Sequence, residues 1–305
     1  MTTSTIASEK TARFSLKRAQ SRAVDTRPLL WPSVGLLLIW MIVPLVLTLY
    51  FSFENKNLVD PTLTGFAGLA NYTFLLTDPS FLTSVWNTVL LVGGVLLSTV
   101  VFGTLFAVLF DQEFYGQGAA RLFVIAPFFV MPTVAALVWK NLLMHPVNGL
   151  FAYITGSMGL GVIDWFTSAP LLSVGIIVAW QWVPFATLIL LTAMQSLDRE
   201  QIEAARMDGA KALARFRHII VPHLSRPITV VVMIETIFLL GIFAEIYVTT
   251  SGGPGDASTN LPFLIYKTAI LNSDVGGGSA GGIVAVVLAN IVAFFLVRTV
   301  ARNLD

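Results

Sequence analysis

The chain has 305 residues, of which 56% are apolar and 11% charged, with a formal net charge of +1 and no cysteine. A typical soluble domain carries roughly 25% charged residues, so this composition excludes an ordinary water-soluble core and implies a bundle whose outer surface faces lipid. Without cysteine there are no disulfides or thiolate metal sites, and without a basic patch interleaved with aromatics there is no footprint for nucleic acid.

Residues 1–28 are Ser/Thr-rich and basic, with Lys10, Arg13, Lys17, Arg18, Arg22 and Arg27. Too apolar-poor to pack, they read as a disordered tail attracted to anionic lipid. From residue 29 to 305 the chain reads as one transmembrane domain. A core about 30 Å thick needs roughly 20 apolar residues per helix. Runs almost free of charge predict spans at 29–51, 85–110, 121–142, 171–194, 227–249 and 279–301. The fold class is therefore an all-α integral membrane protein with about six transmembrane helices. The first span is too long, and lacks the small-residue cleavage site, to be a removable signal peptide.

The connecting segments 52–84 and 143–170 carry Phe53, Phe66, Tyr72, Phe74, Phe151, Tyr153, Trp165 and Phe166, which suits an interfacial position. The loop 250–278 holds two glycine clusters around a more apolar middle. Pro44, Pro127, Pro132 and Pro184 fall inside spans and predict helix bends. No internal repeat of the kind that builds many secondary transporters is evident.

Lys and Arg set the orientation. The tail, Arg121, Arg298, Arg302 and the segment between the fourth and fifth spans place fifteen of the eighteen basic residues on one side, leaving only Lys56, Lys140 and Lys267 on the other. Both termini are thus expected in the cytoplasm, with segment 195–226 as a large cytoplasmic loop.

That loop carries the strongest pattern, SLDREQIEAARMDGAKALARFRHIIVPHLSRP from Ser196 to Pro227. Ser196 can cap a helix with Asp198 and Glu200 in its first turn, the favourable end for acids. Ile202, Ala205 and Met207 give it an apolar stripe. Gly209 permits a sharp change of direction. A second helix follows, with Leu213, Phe216, Ile219 and Ile220 on one side, and Pro222 is expected to end it. The small residues Ala204, Ala205, Gly209 and Ala210 form a tip over which another backbone can come close.

The run Glu203-Ala204-Ala205, then Asp208-Gly209-Ala210, Phe216 and Val221-Pro222, resembles the EAA loop of binding-protein-dependent ABC permeases. More narrowly it resembles their sugar branch, which includes the maltose, glycerol-phosphate and polyol systems. The family's usual Leu before the final Pro is Val221 here. The resemblance covers about residues 80–303 and extends to Thr249–Gly255 (TTSGGPG), similar to a Gly-Gly-Pro element after the fifth span. It implies a permease subunit of an ATP-driven importer in a bacterial inner membrane. Its expected partners are a second homologous permease, two ATPase subunits and an extracytoplasmic solute-binding protein. Glu203, Ala204, Ala205, Asp208, Gly209, Ala210, Phe216 and Pro222 would then couple the bundle to the ATPases by docking in a groove on one of them. A phosphate-binding P-loop needs Gly-Lys followed by Ser or Thr, and no Gly-Lys pair occurs in this chain. ATP and its Mg are therefore expected on the partner subunits, with no cofactor and no catalytic residue here.

Ionisable groups inside spans are costly and point to function. Glu235 and Glu245 both fall in the fifth predicted span, Glu245 near its outer end and within reach of water. For a neutral polyhydroxylated ligand the expected lining is aromatic faces with amides and carboxylates. Trp180, Gln181, Trp182, Tyr247 and Asn290 fit that chemistry, although an Asn also serves as glue between helices and a Trp as an interfacial anchor. His145, His218 and His223 do not share a side or a ligand spacing, so no metal site is expected. The alternative reading is a stand-alone secondary transporter or channel, for which Glu235 would be the ion-coupling group.

Overall fold

The computed structural model describes residues 27–60, 62 and 64–304. The basic tail expected to be disordered therefore lies, over residues 1–26, outside the described residues. The chain divides into two units, Met1–Leu47 and Thr48–Asp305. In the first, the described residues belong to helix α1 (Arg27–Ser52), whose large apolar side chains from Leu30 to Leu47 are exposed, as befits a lipid-facing helix.

The second unit begins in the last turn of α1. Strands β1 (Glu54–Lys56) and β2 (Thr64–Phe66) pair antiparallel, Glu54 opposite Phe66. This small hairpin, in a segment read as loop, is the departure from an all-helical chain among the described residues. Helix α2 (Ala70–Thr77) supplies Asn71, whose Nδ2 donates to the carbonyls of Ser52 and Glu54 at 3.0 Å each and fixes the hairpin to the end of α1. Helix α3 (Pro79–Phe110) starts six residues before the expected span, at the first residue of the charge-free run. Asp78 caps it by accepting from Ser80 N–H at 2.8 Å, and proline takes the first helical position, where it has no amide to lose.

The third expected span is not one helix. Helix α4 (Gln117–Ile125) runs into a 3-10 turn (Ala126–Phe129), and the chain then turns by 110° into helix α5 (Pro132–Val138) and a π turn (Trp139–Leu143). Pro132 is the cause: the residue before a proline is pushed out of the helical region, and Val130 and Met131 are both extended. Helices α6 (Leu150–Ser157) and α7 (Trp165–Ser168) lead to α8 (Pro170–Gln195), which carries Pro184 in its interior. Helix α9 (Arg199–Met207) ends at a bend, and beyond it α10 (Ala212–Arg215) and a π turn (Phe216–Ile220) pass without a stop into α11 (Val221–Leu239). Pro222 does not end the loop's second helix. It lies inside this continuous helix, two residues past the π turn, and the helix runs on through it.

The fifth expected span is also interrupted. α11 stops at Leu239, the chain makes tight turns through Gly241 and Ile242, and helix resumes as α12 (Ala244–Thr249). Helix α13 (Leu261–Tyr266), a π turn (Lys267–Leu271) and α14 (Val275–Leu304) complete the chain. Among the described residues five helices are long and apolar enough to cross a membrane, and the bent pair makes a sixth if counted as one crossing.

The bundle is held together where α3 lies along α8. A methyl group on Gly103 would come within 2.7 Å of Ala186 Cβ, so the two backbones approach as closely as small residues allow. One buried cluster (Leu91, Val95, Val178, Leu239, Ile246, Phe263) lies toward the end away from segment 196–226, and a second (Ala107, Phe110, Leu190, Met194, Leu224, Val231) toward that segment.

Candidate functional site

Two regions have the geometry of function: the bent loop at one end of the bundle, and a set of aromatic side chains where the two broken spans meet α8.

The loop begins with Asp198, which caps α9 by accepting from Glu200 N–H at 2.9 Å. Ser196, expected in that role, instead ends α8, its hydroxyl donating to Ala193 O at 2.7 Å. α9 terminates in a Schellman motif: Gly209 N–H donates to Arg206 O at 3.0 Å and Ala210 N–H to Ala205 O at 2.9 Å. That closure requires a left-handed residue, and Gly209 has φ +78°. Arg215 Nη1 then reaches back 2.5 Å to Ala210 O and braces the bend. At the base, His223 Nε2 donates to Ala193 O at 2.9 Å, tying the start of α11 to the end of α8.

What this rigid element presents is uncovered. Glu203, Ala204, Asp208 and Gly209 are exposed, while Ala205 and Ala210 are half-buried. Met207, of the first helix's apolar stripe, is 89% exposed, and Leu213, on the apolar side of the second, is 76% exposed. Phe216 is half-buried and Pro222 exposed. The tip is thus an apolar and small-residue surface, flanked by acidic and basic groups.

The aromatic set lies at the breaks. Phe128, in the 3-10 turn before the bend, has its ring centroid 5.9 Å from Trp182 and 5.8 Å from Phe185, both on α8. Trp182 also lies 5.3 Å from Phe238, in the last turn of α11. Phe238 is 61% exposed and Phe128 38%, so ring faces stay open. The breaks that bring these rings together are satisfied by amides. Gln181 Nε2 donates to Val130 O at 3.0 Å, and Asn260 Nδ2 donates to Ile242 O at 2.6 Å. Within a membrane a freed backbone carbonyl needs such a partner.

Asn260 belongs to a stitched cap over the end opposite the loop. Its Oδ1 accepts from Phe263 N–H at 3.0 Å, capping α13. Asn87 on α3 donates to Asp256 O at 2.9 Å and Thr259 O at 3.0 Å, and Lys267 pairs with Asp256 at 2.9 Å. Burial would push the Asp256 carboxyl up, but Lys267, with hydrogen bonds from Ser80 and Thr259, outweighs it and holds the group below its usual range.

The sequence-chosen pathway residues do not form one site. Trp180 is half-buried, packs 5.7 Å from Trp139, and lines an apolar groove of about 580 Å³ shared with Gly94, Phe106, Phe123 and Pro184. Gln181 is buried and serves the bend. Glu235 is fully buried against Thr99 on α3. Glu245, expected within reach of water, is 5% exposed because it lies on the inner face of α12. Tyr247 is 48% exposed beside Phe243 and Tyr266. Asn290 is exposed, its amide turned back on Val286 O at 2.8 Å in its own helix. Trp182 is the candidate that does join others. Phe128, Phe185 and Phe238 escaped sequence reasoning; the three-residue spacing of Trp182 and Phe185 on one helical face was the available signal. Among the described residues no group of three or more His, Asp or Glu is placed to hold a metal ion.

The sequence pattern of the family described as binding-protein-dependent transport system inner membrane component matches residues 100–305. The probable ABC transporter permease protein y4oQ of Sinorhizobium fredii is 34% identical, covering 90% of each chain. The trehalose/maltose transport system permease protein MalF of Thermococcus litoralis is 31% identical over 87% of this chain and 89% of that one. The sulfoquinovosyl glycerol transport system permease protein SmoG of Agrobacterium fabrum is 30% identical over 89% of each. A chain of a bacterial ABC transporter that imports alginate has the same fold, with a TM-score of 0.77 over 94% of this chain and 99% of that chain at 21% identity. Carrying the EAA loop on a bundle of this architecture, the chain belongs to the family of binding-protein-dependent transport system inner membrane components.

Proposed function

We propose that the chain is a permease subunit of an ATP-driven importer for a sugar, sugar alcohol or sugar derivative. The observation that carries this reading is the uncovered loop: a bend fixed by a Schellman closure and Arg215, presenting Glu203, Ala204 and Gly209 outward and continuous with α11. A bend fixed in this way, with small side chains at its tip and at the end of a membrane bundle, suits a partner's groove. The partner is an ATPase dimer that binds ATP and Mg, and its closure moves α11 as a rigid body. A second, homologous permease completes the pathway, and a solute-binding protein delivers ligand at the end capped by the 250–260 segment. The loop side, with both termini, is cytoplasmic in the inner membrane, as the basic residues require.

For the solute, the open faces of Phe128, Trp182 and Phe238 suit the C–H faces of a sugar ring. The names of MalF and SmoG fit that class. The test is co-purification from native membranes, with ATPase and uptake assays on the assembly. Recovery of an ATPase chain and a second permease, lost on Gly209→Pro or Glu203→Lys while the chain stays in the membrane, supports the reading. Normal uptake by both variants at equal expression, or uptake by the chain alone without ATP, removes it.

A further inference from the structure

We infer that Glu235 is a neutral, proton-carrying acid whose hydrogen bond to Thr99 positions α11 against α3, a role that rests on the permease reading above. The argument starts from counting protons. Glu235 is completely buried. Its Oε2 lies 2.6 Å from Thr99 Oγ1, and its Oε1 has no hydrogen-bond partner. The same Thr99 hydroxyl lies 3.0 Å from Leu96 O in its own helix. A hydroxyl has one proton, and a backbone carbonyl can only accept. If Glu235 were ionised, that single proton would have to serve two acceptors, and the second carboxylate oxygen would lie bare. With a proton on Oε2 both contacts are satisfied. Glu235 O–H donates to Thr99 Oγ1, and Thr99 O–H donates to Leu96 O. The orphaned Oε1 is then a neutral carbonyl oxygen, far cheaper to bury than half a charge.

The surroundings agree. Val95, one turn from Thr99 on α3, and Val231 and Leu239, one turn to either side of Glu235 on α11, are buried and apolar. The bond joins residues 136 apart in sequence. It also falls between the two functional regions, since α11 arrives from the loop and Phe238 lies three residues beyond Glu235. A neutral hydrogen bond holds two spans in register without the desolvation cost of an ion pair, and it is weak enough to be remade in each transport cycle. Glu235 is therefore a positioning residue, since it is closed off from any pathway here.

The experiment uses the assembled transporter in lipid. Infrared spectroscopy at neutral pH is expected to show a protonated-carboxyl stretch that disappears in Glu235→Gln and shifts in Thr99→Val. Uptake per ATP hydrolysed should stay within about twofold of wild type in Glu235→Gln, whose amide still donates. It should fall about tenfold in Glu235→Ala and Thr99→Val, the loss expected when one buried hydrogen bond goes. Absence of any carboxyl band removed by Glu235→Gln overturns the assignment. So does a Glu235→Gln transporter that assembles yet is as uncoupled as Glu235→Ala, because then the charge is what matters. Should Glu235→Ala fail to assemble, Thr99→Val and the infrared band still decide. The band does not depend on transport, so a wild-type chain without ATP-driven uptake would sink the permease reading and leave the protonation result standing.

Discussion

Replacing Asn260 by Ala separates a structural amide from a merely polar one. In the native chain this side chain makes two buried contacts, donating to Ile242 O at 2.6 Å and accepting from Phe263 N–H at 3.0 Å, and it is 1% exposed. Loss of a helix cap costs about 1 kcal/mol. Leaving a buried carbonyl without a donor costs about 1–3 kcal/mol. Together they predict a destabilisation of about 2–4 kcal/mol for Asn260→Ala. Asn260→Thr keeps a capping hydroxyl but cannot span the distance to Ile242 O, so it should cost about 1–3 kcal/mol, the carbonyl's share alone. The assay is reversible denaturant unfolding in mixed micelles, followed by the fluorescence of the chain's tryptophans. If Asn260→Ala unfolds at the wild-type denaturant concentration, then the break after Leu239 does not depend on this amide. Equal losses for Ala and Thr would show that the cap to α13 contributes nothing.

Other outcomes follow from the same geometry. Gly252→Ala should destabilise by at least about 1–2 kcal/mol from its left-handed backbone alone, because Gly252 has φ +80° and a β-carbon there would meet Thr259 Oγ1 at 2.4 Å; unfolding curves check it. Asp256 titrates below its usual range in the folded chain, so its contribution is complete above the ordinary carboxylate pKa and is lost as pH falls through the lowered folded value. Acid should therefore loosen the wild-type cap by a step that Asp256→Asn lacks, read at the acid pH itself as pepsin sensitivity of segment 250–267. Trp182→Ala, which removes the ring shared by Phe128, Phe185 and Phe238, should raise the KM for uptake about tenfold or more while the loop still binds the ATPase; an unchanged KM would move the solute elsewhere.

The lipid-spanning character, the loop and its left-handed glycine were legible because each is written locally. Charge-free runs mark crossings, and Asp208-Gly209-Ala210 after a short acidic-start helix marks a closed bend. The breaks were less legible. Pro127 and Pro132 announce a bend in the third span but not its 110° angle, which depends on Gln181, 51 residues away, satisfying Val130 O. The break after Leu239 has no proline at all; it exists because Asn260 arrives from a folded-back segment to hold Ile242 O. Both are decisions of tertiary structure. The aromatic group was hidden for the same reason, since Phe128 and Phe238 become neighbours of Trp182 only once both breaks are made. Glu235 and Glu245 stand out in the sequence as costly residues, yet nothing near them says which face of the helix they occupy.

The unbroken run from the loop into α11 has a mechanical consequence. Phe238 lies 17 residues beyond the start of that helix, about 26 Å along its axis at 1.5 Å per residue. A helix of that length acts as a lever arm. Pivoting it by about 10° at the loop end sweeps Phe238 sideways by about 4–5 Å, nearly the whole 5.3 Å that separates its ring from Trp182. A modest rotation imposed at the loop end of α11 is thus sufficient to part or close the aromatic pair, with no unwinding needed along the helix.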